Sequence, residues 1–332
     1  MKYTIHILLI VMAGFLFSCE SLVTTVPESR LPKGIEKVVL HAYISPQDTL
    51  ILVKLTASRP LLGVYNKDGV GYTVIGNDTI YFTGGIIENA NVILSNSRQQ
   101  YISIPYIKNE ATYILDASRF PIEAGETYTI KAETPIGNVE ATCTVPPGNA
   151  IIEKYKIDTT TENFFNGRSK TFHVNFDWKD IPSQANYYTM KASVTTKMLL
   201  EPTTANHNPE KTERIITYYA FWDEENRQAQ YQSDISRDGT LFSTPNGNIP
   251  LNLAVIYLND KVYMANFAGE KSTIRLEVLN TDKNYYDYHR AVRINNRQDG
   301  NPFVEPVPIP TNVKNGLGCF AATNKSILTV VF

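Results

Sequence analysis

The sequence predicts a mostly β protein built from two β-sandwich domains of the immunoglobulin or fibronectin-III kind, the second carrying one packed helix. Three observations predict it. Aromatic and β-branched residues are abundant, with 20 tyrosines and 14 phenylalanines in 332 residues, a composition that suits pleated, half-buried surfaces. Short alternating or apolar runs recur along the chain, separated by Gly, Pro, Asn and Asp. Only one stretch has the period of a helix.

The amino-terminal residues stand apart from this pattern. Lys2 is followed by an apolar run, Ile5 to Phe17, interrupted by His6 and Gly14. The run is too short to span a bilayer and has the length of a signal-peptide core. Leu16-Phe17-Ser18-Cys19 resembles the lipobox of bacterial lipoproteins. That resemblance implies lipidation of the Cys19 thiol, cleavage before it and acylation of the new amino terminus. The alternative is a signal-anchor helix with an incidental cysteine. Several acyl chains, at about 0.8 kcal/mol per buried methylene, would anchor the protein without a spanning helix. Residues 1–18 are therefore read as the signal peptide. Residues 19–33, with two prolines and no periodicity, are read as a tether.

About 310 residues remain, more than one comfortable core needs, and two domains are expected, at 34–147 and 148–332. Charge is nearly balanced, with 31 basic and 33 acidic residues. No basic block offers a footprint for nucleic acid, which is excluded as a partner.

In the first domain, strands are expected at Val38–Ser45, Leu50–Ala57, Ala90–Ser95, Tyr113–Asp116, Thr127–Ala132 and Val139–Val145. Residues 58–87 form a glycine-rich excursion, a long loop or an added hairpin. Ile122 to Tyr128 has the spacing of a tyrosine corner, in which a hydroxyl ties back to the backbone upstream; the alternative is an ordinary hairpin. Pro146-Pro147-Gly148 ends the domain.

In the second domain, Thr171–Trp178 alternates, with Phe172, Val174, Phe176 and Trp178 on one face. Tyr187–Leu200, Arg214–Trp222, Leu251–Asn259, Thr273–Leu279 and a closing Ser326–Phe332 continue the strands. Asp282–Arg297 places Tyr285, Tyr288, His289 and Val292 on one helical face, with Thr281 as the expected cap and the helix expected on the second sandwich.

Chemistry is sparse. Beyond the signal segment the histidines are His41, His173, His207 and His289, none at metal-site spacing, and no C-x-x-C occurs. No nucleophile elbow, P-loop or dinucleotide fingerprint is present. No catalytic residue, no metal and no cofactor are expected. Asp234 to Gly239 has half of a calcium loop, but Pro245 stands where the bidentate acid belongs. A hairpin turn at Asp238-Gly239 is preferred. Cys143 and Cys319 are read as buried, unpaired thiols. Phe221, Trp222, Asp223, Glu224 and Glu225 form an aromatic–acidic cluster, read as a candidate recognition surface or as the solvated end of a strand.

The carboxy-terminal stretch Asn301-Pro302-Phe303-Val304-Glu305-Pro306, then Asn312 and Gly316-Leu317-Gly318-Cys319-Phe320, resembles the DUF4249 lipoproteins of the Bacteroidota. Glu88 to Val92, Gly125 to Tyr128, Ala141 to Pro146 and Asp234 to Gly239 are similar to further elements of that family. The sequence departs from its pattern at Thr311 and Cys319. The resemblance implies an outer-membrane lipoprotein, encoded beside a TonB-dependent transporter and accessory to nutrient uptake, with no catalytic residues. The expected partners are membrane lipid, through the acylated amino terminus, and a TonB-dependent receptor. Whether the protein faces the cell surface or the periplasm stays open. The rival readings are a surface hydrolase on a β scaffold and a structural or adhesive envelope protein.

Overall fold

Alternation of apolar and polar residues becomes alternation of buried and exposed side chains in nearly every strand. The computed structural model describes residues 35–58, 71–75, 78–82, 85–164, 167–202, 212–223, 229–251, 255–258, 261–267, 271–298, 305 and 307–332. The expected signal peptide, tether and lipidation site at Cys19 lie outside them, as do His207, Glu224, Glu225, Asn301, Pro302, Phe303 and Pro306.

The first half of the chain supplies β1 (Val38–Ile44), β2 (Leu50–Ala57), β3 (Gly71–Ile75), β4 (Asp78–Phe82) and β5 (Asn91–Asn96). Then come β6 (Tyr101–Ser103), β7 (Tyr106–Ile107), β8 (Thr112–Asp116), β9 (Thr127–Thr134) and β10 (Gly137–Thr144). Strands β10-β9-β5-β6 form one sheet; β1-β2-β8-β7 belong to another. Leu40, Val53 and Leu55 of the latter join one core with Leu94, Ile130 and Ala141 of the former. Within the glycine-rich excursion, β3 and β4 pair as a hairpin.

The tyrosine corner is present. The Tyr128 hydroxyl accepts from Glu123 N at 2.8 Å and donates to Pro121 O at 3.3 Å. Tyr113 makes a similar tie, accepting from Ala90 N and donating to Ile87 O. Each ring fills the core while its hydroxyl satisfies backbone groups that no strand pairs.

The second half supplies β11 (Ile151–Phe164), β12 (Gly167–Lys179), β13 (Tyr187–Pro202), β14 (Thr212–Tyr219), β15 (Phe221–Asp223) and β16 (Tyr231–Ser233). It continues with β17 (Leu241–Ser243), β18 (Asn246–Leu251), β19 (Val255–Leu258), β20 (Lys261–Phe267), β21 (Thr273–Thr281), α1 (Lys283–Gln298) and β22 (Leu317–Val331). Phe172, Val174, Phe176 and Trp178 of β12 pack with Met190 and Val194 of β13 and Leu276 of β21 in a second core.

Two expected strands are divided. Arg214–Trp222 breaks after Tyr219, because β14 pairs with β13 while β15 crosses to β18 in the facing sheet. Leu251–Asn259 separates into the end of β18 and β19. Strand β11 went unread because its exposed run Glu153 to Thr161 is polar and charged. It is a sheet edge, and charge together with the irregularity between Ile152 and Lys154 discourages pairing with other chains.

Strand β22 joins the halves. Leu317–Ala322 pairs in parallel with Val39–Ile44 of β1, and Thr323–Val331 pairs antiparallel with Thr281–Thr273 of β21. One sheet therefore runs through both cores. The closing strand is twice the expected length, because its first half carries small residues instead of β-formers.

Those small residues have a steric cause. Gly318 has φ +101°, and a Cβ there would lie 2.1 Å from Leu40 O. A Cβ on Gly316 would meet Val139 Cγ1 and Val38 O, both at 2.7 Å. Asn312 imitates a strand backbone beside them. Its Oδ1 accepts from Phe320 N at 3.0 Å, and its Nδ2 donates to Phe320 O and to Thr142 O across the layer. Thr311 Oγ1 donates to Gly318 O at 2.8 Å. Leu317 is partly exposed and Glu305 is exposed.

Helix α1 crosses the outer face of this junction. Tyr285 packs in a cluster with Tyr43 of β1 and with Cys319 and Ala321 of β22, with Tyr231 and Tyr288 against it. The helix thus touches both halves instead of resting on the second alone, because β1 turns His41 and Tyr43 outward beneath it. Its cap is Asp282, not Thr281. Asp282 Oδ1 accepts from Tyr285 N at 2.8 Å, whereas the Thr281 hydroxyl donates to Tyr187 O in the sheet.

Gly318→Ala should cost more than about 3 kcal/mol, since both the dihedral and the contact with backbone are violated. Trp178 and Trp222 both sit in the second core. The tryptophan fluorescence transition in urea should nevertheless shift to lower midpoint. An unshifted transition would mean that the cores unfold independently.

Candidate functional site

The β11-β12-β18-β15 sheet turns its outer face to solvent and arranges polar side chains in a row across all four strands. The Thr160 hydroxyl lies 2.9 Å from His173 Nε2, His173 Nδ1 lies 2.7 Å from Asn248 Oδ1, and Asn248 Nδ2 donates to Asp223 Oδ2 at 2.6 Å. The network places one ring proton. A carbonyl oxygen only accepts, so Nδ1 carries a proton. His173 is held on both sides.

Phe221 pairs with Asn248 across strands and is 69 % exposed, so a bare aromatic ring flanks the row. Asn175 and Asn246, bonded at 3.0 Å, continue the polar face. Trp222 does not belong to the surface. It points inward, packs 6.0 Å from Phe176, and leaves no room for a Cβ on Gly247. The alternation within β15 separates the two aromatics that the sequence set side by side. Thr160, His173 and Asn248 went unread because their strands meet only in the fold.

A second cluster gathers Asp180, Asp234 and Asp238, with a carboxylate oxygen from each within 4.8 Å of the others. The half-motif flagged Asp234 and Asp238, and Asp180 arrives from the end of β12. These oxygens face donors. Asp180 accepts from the Tyr188 hydroxyl at 2.7 Å and from Gly239 N at 2.7 Å. Asp234 accepts from Asn186 N at 2.8 Å, and Asp238 from Ser183 N at 2.9 Å. Gly239 has φ +67°, as the turn requires. Tyr188 also accepts from Ile181 N at 3.2 Å, which makes this cluster a third tyrosine tie. Asp180→Ala should cost about 2–3 kcal/mol in urea unfolding, by leaving buried donors unpartnered. Added calcium should not restore that loss.

Beneath α1, two groups titrate in opposite senses. Burial, with His289 beside it, lowers His41 from 6.5 to about 4. His41 lies 2.8 Å from the Tyr288 hydroxyl through Nε2. The unfolded chain takes up this proton more readily, so His41 contributes stability above pH 6.5 that is lost as pH falls towards 4. Burial raises Asp282 from 3.8 to about 7, against the hydrogen bonds from Tyr285 and Ala322 that lower it. Its contribution is present below pH 3.8 and lost as pH rises through 7. The two slopes oppose each other between pH 4 and 6.5. His41→Gln removes one of them, so on acidification its urea midpoint should fall less, or rise more, than the wild-type midpoint does. The slope differs by at most about 1.4 kcal/mol per pH unit. Parallel curves would contradict this assignment.

Cys143 and Cys319 are buried free thiols. Burial, then Asp282 and Cys319 nearby, holds the Cys143 thiol well above its ordinary range. Cys319 Sγ also lies 3.6 Å from Asn284 O.

A family model described as "Domain of unknown function (DUF4249)" matches residues 21–327. No curated protein matches the chain. One solved structure, described as "Structural basis for the promiscuous specificity of the carbohydrate-binding modules from the beta-sandwich super family", is similar over 74 % of this chain and 97 % of its own, at 11 % identity and a TM-score of 0.17. At that score the likeness carries no argument about fold or ligand. The β architecture stands on the strands and cores described above.

Proposed function

The chain belongs to the DUF4249 family, and from that premise we propose a lipid-anchored binding protein of the Bacteroidota outer membrane. In this reading Cys19 carries the acyl chains, and the folded part serves as accessory subunit to a TonB-dependent transporter. It acts by recognition instead of turnover. The observation that supports recognition is the row from Thr160 through His173 and Asn248 to Asp223, with the exposed Phe221 ring beside it. Its side chains are already ordered by one another, so a partner laid on the face finds fixed donors and acceptors at small entropic cost. An exposed aromatic next to polar groups is the composition of an interface centre. The sequence Leu16-Phe17-Ser18-Cys19 supports the anchor.

Tagged full-length protein, extracted in mild detergent from its own membrane, should copurify with a TonB-dependent barrel in near-stoichiometric amount. Phe221→Ala with Asn248→Ala should reduce that recovery by about tenfold while leaving the melting temperature within a few degrees. Cys19→Ala should abolish fatty-acid labelling. Recovery of the wild-type protein alone under several detergents would overturn the accessory role, and labelling of Cys19→Ala would overturn the anchor.

A further inference from the structure

A cleft in the first half of the molecule has the chemistry of a small-molecule site. It opens between the turn joining β5 to β6 and the segment Arg119 to Glu123 that precedes the tyrosine corner, and its volume is about 320 Å³. That is within the size range of ligand pockets. Its walls include Asn96, Arg98, Gln100, Tyr101, Arg119 and Glu123.

The two arginines are in different situations. Arg98 is committed, with Nη2 2.8 Å from Glu123 Oε1 and Nε 3.4 Å from Glu126 Oε2, and it ties one wall to the other. Arg119 makes no ion pair among the described residues. Asp116, near it in sequence, interacts with it through charge alone, while accepting from Ser118 N at 2.8 Å and capping the short turn on which Arg119 sits. Of the residues on the wall itself, Arg98 and Arg119 outnumber Glu123 by one, with Glu126 and Asp116 as the carboxylates behind them.

The neutral groups add donors. Gln100 Oε1 accepts from Asn96 Nδ2 at 2.7 Å, and Asn96 Oδ1 accepts from Gln100 N at 3.0 Å. Both amide oxygens are therefore engaged, and the Gln100 amide N–H groups remain. Tyr101, also in the lining, is 76 % exposed and adds an aromatic ring.

We propose that this cleft binds a small organic carboxylate. Its two oxygens are taken by the Arg119 guanidinium and the Gln100 amide, and its hydrocarbon part lies against Tyr101. A guanidinium fork matches a carboxylate in geometry and in charge. A dianion such as sulfate would meet Glu123 with a single positive charge to balance it. The site is independent of the transporter reading and of the row around His173.

The test is a ligand-observed NMR titration of the purified full-length protein with benzoate, using benzamide as the uncharged isostere and sulfate as the competing dianion. Benzoate should bind saturably with a Kd of about 1 mM, weakening with added salt, and benzamide should bind at least about tenfold more weakly. Arg119→Gln should weaken benzoate by about tenfold at unchanged melting temperature, and Arg119→Lys should lie between, keeping the charge and losing the fork. Tyr101→Ala should weaken it severalfold. Absence of saturable benzoate binding, equal binding of benzamide, or wild-type affinity in Arg119→Gln would overturn the proposal. Displacement of benzoate by an equal concentration of sulfate would overturn the assignment to carboxylates.

Discussion

The structure depends on one strand that joins the two halves of a single sheet. From Leu317 to Ala322, β22 lies parallel to β1, and from Thr323 onward it lies antiparallel to β21. The change of partner happens where polar side chains collect. Asn324 reaches Pro146 O, Gln47 reaches Asn324, and Lys325 pairs with Asp48 while its N–H meets Gln47. Asn280 holds Gly148 O nearby. In the segment between the two halves, the Pro146 and Gly148 carbonyl oxygens thus each accept from an asparagine amide. A continuous sheet, and not a hinge, sets the relation between the cores.

Around that strand the protein repeats one device. Tyr128, Tyr113 and Tyr188 each bury a ring and spend the hydroxyl on backbone or carboxylate groups at a sheet corner. This accounts for part of the tyrosine abundance without appeal to an interface. The aromatics under α1 account for more: Tyr43 meets Tyr285 and Tyr288 meets His289 edge to face, and Tyr285 lies tilted against His289. What is left for recognition is smaller than the composition suggests. Phe221, Tyr101 and the edge residue Tyr219 are the exposed rings that matter there.

Where side chains alternate locally, the sequence was legible. Phe172 to Trp178 read correctly because each apolar residue faces the same core, and Tyr128 read correctly because a corner is a short-range pattern. The helix was visible in the spacing of its tyrosines. Failures share a cause, which is that pairing partners lie far away in the chain. The first half of β22 hides behind glycines whose smallness answers to Leu40 and Val139. The break at Ala220 is set by which sheet each neighbour belongs to. Asp180 joins Asp234 and Asp238, and His173 joins Asn248, through contacts that no local pattern carries. Conversely, the adjacency of Phe221 and Trp222 in sequence suggested one patch, and the pleat puts them on opposite faces.

The placement of β22 also sets an order of events during synthesis. Its residues are made after those of every other strand described, yet the first core contains Phe320 and Ala322 and lacks a strand beside β1 until they arrive. The amino-terminal half therefore cannot settle on its own while the remainder is being made, contrary to the usual domain-by-domain course. The first core therefore stays open at β1 until β22 has been made, and it closes when Leu317–Ala322 reaches that strand.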